Sequence, residues 1–401
     1  MNRKYILIGL LVCITGIFSG CHSWLDVQPE DQVTDGQLFS TESGFRTALN
    51  GIYVELSNNA LYGGELSVDA VEILAQRYDF SGNTTNAYRL GTYNYTIDYA
   101  KSKFAAVWEK AYSLIANCNK LLEYAEKNEE VLTGKMRKMI IGEAMALRAF
   151  LHFDMLRLFG PVYKLHPEME SIPYNESSRV SALPLLTADS VLHEKILRDL
   201  DEAERMLVDS DPVIEGGRMA SQEGDEDVYL RYRQLRMNYY AVLALKARVY
   251  LYAGEEAKAL AVARELLTDS KVDEYFPAVD PNKLLANQDN PDRVFSTEVL
   301  AGIYVKDRAD IHTTYFSSEQ AGTNYLHPRK NYVNANLFAE ETQDYRFQSC
   351  WRTASNENEG GYDFIKYEEI AKPTQAGESE YFYAVFMSLI RLSEVYYIAA
   401  E

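Results

Sequence analysis

Apolar positions recur at helical spacing over much of the chain. Phe45, Leu49, Ile52 and Leu56 fall on one face, behind Thr41 as an N-cap. The pattern predicts a second helix over about 103–127, with Phe104, Trp108, Ala111, Ile115, Leu122 and Ala125 turned inward. Trp108 is expected to be core. A third helix, over about 135–159, carries a stripe of Ile140, Ala144, Leu147, Leu151, Met155 and Leu158. Gly160 and Pro161 stop it, since glycine accepts a left-handed cap and proline cannot continue a helix. A fourth covers about 188–208 on Leu192, Ile196, Leu200, Ala203 and Leu207. Helices resume over about 234–254 and 256–268, and a last one starts near 380 and is still running at Glu401. Within 237–268, Leu243, Ala247, Tyr250, Gly254, Ala259, Ala263 and Leu266 sit where a tetratricopeptide repeat places its small and aromatic packing residues. Weaker hairpins over 103–159 and after 380 suggest more such units.

Two stretches break the pattern. Residues 57–100 and 270–379 are rich in Tyr, Asn, Gly, Asp and Thr, with short β-like pieces at 293–305 and 362–367. Long irregular segments in a compact chain are functional or disordered, and the aromatic content here argues against disorder. The expected fold is mainly α: a tetratricopeptide-like helical repeat scaffold with a loop-rich ligand-binding region, spanning 41–401.

The N-terminus changes the compartment. Arg3 and Lys4 precede an apolar run from Tyr5 to Phe18, then Ser19, Gly20 and Cys21. That order is a secretory signal, and the run is too short to span a bilayer stably. A cysteine after the small pair points to a bacterial lipoprotein signal over 1–20, lipidation at Cys21 and a polar tether over 21–40. The plainer alternative is ordinary cleavage with Cys21 an incidental thiol. No second apolar run reaches membrane length. The chain of 401 residues carries a net charge of −19, and losing 1–20 makes it two charges more acidic. Such acidity argues against nucleic acid or an anionic membrane surface as partners. Cys118 and Cys350 are too few for a disulfide framework. Cys118 reads as a buried small hydrophobe, and a bridge between the two stays open.

The composition suits sugar binding. There are 30 Tyr against 16 Phe, and tyrosine offers a flat apolar face to a pyranose and a hydroxyl to its alcohols. The loops supply Tyr62, Tyr78, Tyr88, Tyr93, Tyr95, Tyr315, Tyr325, Tyr332 and Trp351, with Arg77, Asp79, Asn83, Asn86, Asn324 and Asn331 beside them. The ligand candidates are Trp351, Tyr78, Arg77, Tyr88, Tyr93, Tyr325 and Asn324, weighed against simple packing of loop onto helix. Arg148, Asp154 and Arg157 read as structural, and Asp344 with Arg346 as a loop-fixing ion pair. HExxH, GxSxG, CxxC and P-loop patterns are absent, and the six His lack metal-ligand spacing. The acidic stretch 224–227 lacks the oxygen ladder of a calcium loop. No cofactor and no metal is expected. An all-α glycosidase would need two carboxylates facing across a cleft, which one sequence does not exclude. A pure repeat adaptor would not need aromatic loops.

Residues 142–150, Gly-Glu-Ala-Met-Ala-Leu-Arg-Ala-Phe, continue through Phe153-Asp154-Met155-Leu156-Arg157-Leu158-Phe159-Gly160-Pro161-Val162. This stretch closely resembles the SusD/RagB family of Bacteroidetes lipoproteins. Trp24 to Pro29 resembles that family's mature start, Ala48 to Tyr53 its first helix, Ala244 to Gly254 its central repeat helix and Arg391 to Tyr396 its C-terminal one. The resemblance implies an outer-membrane, cell-surface lipoprotein beside a TonB-dependent transporter of the SusC type. It implies capture of an oligosaccharide, or in some branches a peptide, without catalysis. Family members continue beyond the segment ending at Glu401, so the sequence reads as truncated, with an uncovered last helix face and a tendency to aggregate.

Overall fold

In the computed structural model, residues 34–401 are described apart from 81, 180, 219–226, 286–289, 321–324, 330–331, 340, 355–360 and 371–381. The signal, Cys21, the acidic residues 224–226 and Asn324 therefore lie outside the described residues. Helices carry the fold: α1 (Glu42–Leu56), α2 (Asp98–Lys127), α3 (Gly134–Phe159), α4 (Leu197–Leu207, entered through a π-helical turn Ser190–Ile196), α5 (Tyr239–Tyr252), α6 (Glu256–Thr268) and α7 (Leu392–Ala400). Helix α3 packs between α2 and α4, α5 pairs with α6, and α7 lies against both of these. This is the mainly α, tetratricopeptide-like architecture expected.

The faces follow from the sequence pattern. All four apolar positions of α1 are buried, and the Thr41 hydroxyl accepts the Gly44 amide at 3.1 Å. The α5–α6 hairpin turns at Gly254, whose φ of +75° lets the Glu255 amide reach the Tyr250 carbonyl at 2.9 Å. Ala247, Ala259 and Ala263 are buried where these helices meet. Helix α3 is enclosed on every side from Met139 to Leu156, which is the behaviour of a central helix. Its polar residues are consequently tied down. Arg148 grips Asp199 with two nitrogens, at 2.6 and 2.9 Å, and donates to Asn119 at 2.9 Å. Glu143 accepts Arg233 at 2.7 Å and the Tyr53 hydroxyl at 2.8 Å. Asp154 pairs with Arg157 and accepts the Tyr62 hydroxyl at 2.6 Å. Buried His152 offers Nδ1 to the Arg148 carbonyl and accepts the Asn175 amide, so it stays neutral, and burial pushes its pKa down to about 3.

Several expectations need correction. Trp108, Phe104, Leu122 and Leu158 are half-buried rather than core; the inward row of α2 is instead Val107, Ala111, Leu114, Ile115, Cys118, Leu121 and Ala125. Trp108 packs edge-on against Phe159 with centroids 5.1 Å apart. Gly160 is extended, with φ −80° and ψ 174°, so it is no left-handed cap. It serves closeness instead, because a Cβ there would stand 2.5 Å from the Leu156 carbonyl oxygen. Residues 35–38 of the presumed tether form a helical turn with a Thr34–Gln37 capping box, and Phe39 is buried against Phe45 and Tyr124. The last helix starts at Leu392, not near 380, because Phe386–Arg391 is a strand. Its face of Leu392, Val395 and Ile398 is buried. Cys118 and Cys350 are both buried free thiols.

The strands are short and antiparallel. β1 (Tyr78–Phe80) pairs with β3 (Leu326–Pro328), β2 (Val299–Tyr304) with β6 (Phe386–Arg391), and β4 (Trp351–Thr353) with β5 (Tyr362–Phe364). The 57–100 stretch also holds two short helices, Ala70–Leu74 and Asn86–Gly91. Asp344 caps the helix Tyr345–Cys350 and pairs with Arg346 at 2.6 Å, the loop-fixing role expected.

Candidate functional site

Two small ladders bring the loop regions together. In the first, Tyr78 lies opposite Pro328; in the second, Trp351 lies opposite Phe364. Cross-strand partners share a sheet face, so each ladder presents two apolar groups side by side. All four line one cavity of about 500 Å³, with Phe316 behind them. Phe316 links the ladders, its ring centroid 5.8 Å from Tyr78 and 5.2 Å from Phe364. Tyr332, Leu337 and Tyr367 complete the apolar wall, and Ser67, Glu72, Arg77 and Lys366 supply the polar groups. A second cavity of about 300 Å³ shares Arg77, Leu337, Trp351, Phe364 and Lys366 with the first, so the two form one cleft. Cavities of this size with aromatic walls and a few polar groups suit a small ligand.

Trp351 is half-buried, its ring 4.9 Å from Phe364 between centroids. The packing holds the indole still and leaves part of it open to the cleft. Tyr78 is buried, which pushes its phenol well above the ordinary value, so it remains a neutral hydroxyl. Burial likewise raises Tyr367 to about 12. Burial lifts the Glu72 carboxyl, and its Oε2 has no hydrogen-bond partner among the described residues. Burial, with Arg391 and Arg308 nearby, lowers Lys366 to about 8.

The structure thus unites three of the sequence candidates, Arg77, Tyr78 and Trp351. It separates the others. Tyr88 is exposed on the helix Asn86–Gly91 and is not part of the cleft wall. Tyr93 is 52% exposed, adopts a left-handed φ of +60° and donates to the Leu74 carbonyl at 3.2 Å, also outside the cleft. Tyr325 is only 2% exposed, its hydroxyl donates to Asp363 at 3.0 Å, and it is not part of the cleft wall. Glu72, Lys366, Tyr367 and Arg391 were missed. Alternation over Tyr362, Phe364 and Lys366 was the available signal, because those positions share one face of an extended segment.

No carboxylate pair faces across the cleft among the described residues, since Glu72 is the one acid on its wall. A separate cavity of about 390 Å³ holds four acids: Glu368 is tied to Arg293 and Arg352, Asp363 to Ser318 and Tyr325, and Glu319 and Glu369 are exposed. Among the described residues no group of His, Cys, Asp and Glu could hold a metal ion, and no helix is long and apolar enough to cross a membrane.

Fold and cleft together define a helical repeat scaffold that carries a loop-built, aromatic-walled pocket. A family model described as SusD-like, "starch-binding associating with outer membrane", matches residues 23–220. A SusD-like protein of Formosa agariphila is 24% identical over 215 residues, 52% of this chain and 39% of the relative. Another from that organism is 22% identical over 312 residues, 74% of this chain and 52% of the relative. The chain thus spans about half the length of these relatives or less. Among solved structures, a putative sugar-binding protein of Bacteroides vulgatus superposes with a TM-score of 0.64 at 21% identity, covering 90% of this chain and 73% of that one. A SusD superfamily protein of Bacteroides thetaiotaomicron gives 0.63 at 21%, with 90% and 75% covered. A laminarin-binding SusD-like protein gives 0.58 at 17%, with 90% and 80% covered. The chain is a member of the SusD/RagB family of Bacteroidetes, a family associated with the outer membrane. Of the cleft residues, only Ser67, Glu72, Arg77 and Tyr78 and their neighbours fall within the span that the family model matches.

Proposed function

We propose that the protein captures an oligosaccharide in the cleft of Tyr78, Tyr332, Trp351 and Tyr367 and passes it on without cleaving it. The observation that carries the reading is Trp351: a half-open indole, locked against Phe364, on the wall shared by both cavities. A sugar ring lays its C–H face on such a surface and offers its hydroxyls to Arg77, Ser67 and Glu72. Capture without hydrolysis is supported by the single acid on the wall, because glycosidic cleavage ordinarily needs two. Lipidation at Cys21, exposure on the cell surface and delivery to a SusC-type TonB-dependent transporter complete the proposal. They rest on the sequence at the N-terminus and on the family.

The test is affinity electrophoresis and calorimetry of the full chain against a panel of polysaccharides, with product analysis alongside. Binding to one glycan class, no shortened products, and loss of that binding in Trp351→Ala with the melting temperature kept are the expected results. Released sugar would make the protein a hydrolase. Binding of oligopeptides alone would replace the glycan by a peptide. Unchanged affinity in Trp351→Ala would move the site elsewhere.

A further inference from the structure

The charges on the cleft wall are one-sided. The chain as a whole carries −19, yet the smaller cavity is lined by Arg77, Arg346, Lys366 and Arg391 and by no carboxylate. Arg346 is engaged by Asp344. Arg77, Lys366 and Arg391 have no ion-pair partner among the described residues. Lys366 and Arg391 touch aromatic faces instead, the Lys366 amine 5.5 Å from the Tyr367 ring centre and the Arg391 guanidinium 5.5 Å from that of Phe295. In the helical scaffold, by contrast, Arg233 is neutralised by Glu143 and Asp211, Arg148 by Asp199, and Lys103 by Glu65 and Asp69. Gathering unneutralised cations in a half-enclosed cleft is costly unless something arrives to neutralise them.

We infer that this cleft is built for an acidic oligosaccharide, whose carboxylate or sulfate groups settle between Arg77, Lys366 and Arg391 while a sugar ring lies on Trp351. The inference rests on the capture reading above and gives it a substrate class. Arginine forks match the paired oxygens of both anions. Trp351 stands on the wall of both cavities, so a chain of sugars crossing it presents successive residues to the aromatic and the cationic parts. Glu72, the one acid, lines only the larger cavity. Its carboxyl is pushed towards the neutral, hydroxyl-donating form by burial.

The experiment uses matched pairs on the full chain: polygalacturonate with its fully methyl-esterified form, and a sulfated glycan with its desulfated form. The acidic member should bind about tenfold or more tightly than the neutral one, with affinity falling as salt rises. Lys366→Met and Arg77→Met should each erase about tenfold of that acidic-over-neutral preference, a ratio that any shared loss of sugar contacts leaves unchanged, and neither should lower the melting temperature. The two arms separate carboxylate from sulfate. At pH 9 binding should also take up protons, because an anion beside Lys366 offsets Arg391 and Arg308; Cys350 and Glu72 are the other ionisable groups facing it. Equal binding of both members, or a salt-independent preference, would overturn the inference while the capture reading stands. Failure of every glycan, neutral or acidic, would bring down the capture reading itself. Binding of acidic peptides alone would keep the cationic site and overturn its assignment to a glycan.

Discussion

Replacing Lys366 by methionine should make the protein more stable, and the gain should depend on pH in a defined way. Burial and the neighbouring Arg391 and Arg308 lower this amine from 10.5 to about 8, against smaller opposing effects of Cys350 and Glu72. The full shift corresponds to roughly 3 kcal/mol of unfavourable charging. The side chain is half-buried, and solvent around its stem brings the figure down to about 1–2 kcal/mol. Below pH 8 both the native and the unfolded chain hold the proton, and the whole cost is present. Between about 8 and 10.5 the unfolded chain keeps a proton that the native state has released, so stability rises with pH. Above 10.5 neither holds it and the cost is gone. The many buried tyrosines act in the opposite direction at high pH, since their raised phenols hold protons that the unfolded chain loses. The useful window is therefore pH 7 to 9.5. Methionine keeps the length and the apolar stem without the charge. Denaturant unfolding of both forms across that window should show Lys366→Met ahead by about 1–2 kcal/mol at pH 7 and the difference shrinking towards pH 9.5. A variant less stable than the parent at pH 7, or a constant difference over the window, would refute the reasoning.

Arg233→Met should cost about 3–5 kcal/mol, because it leaves fully buried Glu143 and Asp211 with their main cation gone; an unfolding midpoint unchanged from the parent would contradict this. Tyr325→Phe should cost about 1–3 kcal/mol through the lost hydrogen bond to Asp363 and leave glycan affinity as it was, and a fall in affinity at constant stability would return Tyr325 to the site. Burial pushes the Cys118 thiol up to about 12, so in the native protein at pH 8 it should resist alkylation and react once the chain is denatured, as peptide mapping after timed labelling would show; rapid native labelling at Cys118 would refute its burial.

How much of this was legible in the sequence depends on where each partner lies along the chain. The helices of 42–268 were readable because burial repeats at 3.6 residues, and the stripe of α4, from Leu192 to Leu207, fell where expected. The stripe on α3 was right from Ile140 to Met155 but too narrow. Glu143, Arg148 and His152 look like an outer face, yet they are buried, and their partners Arg233, Asp199 and Asn175 stand on other segments that local periodicity does not reach. The strand Phe386–Arg391 was taken into the last helix because a short apolar run has no decisive period. In the cleft, residue type identified Arg77, Tyr78 and Trp351 as candidates. Tyr325, chosen on the same grounds, lies off the cleft wall, because a loop tyrosine gives no sign of an Asp363 beneath it. Lys366 escaped notice because a lone lysine in a polar loop reads as solvated. Only its placement near Arg391, Arg308 and an aromatic wall makes it unusual.

That placement marks the difference between the two halves of the protein. In the scaffold every strongly buried arginine discussed above meets carboxylates, and each such pair joins segments that must be held: Arg148 to Asp199 links α3 to α4, and Arg233 bridges Glu143 on α3 to Asp211 beyond α4. These networks contribute order, and removing one partner is costly. In the cleft the reverse holds. Arg77, Lys366 and Arg391 line the smaller cavity with no carboxylate on its wall, and Glu72, beside Arg77 and Lys366 in the larger one, has Oε2 buried without a partner among the described residues. Such an arrangement costs stability in the unliganded fold, which the surrounding structure must offset. A bound anion with hydroxyls would satisfy both defects at once. The cleft walls also come largely from 316–391, outside the matched span of 23–220. Substitutions there can exchange one ligand for another without disturbing the packing around α3, which is why the scaffold identifies the family and the cleft must be measured to identify the ligand.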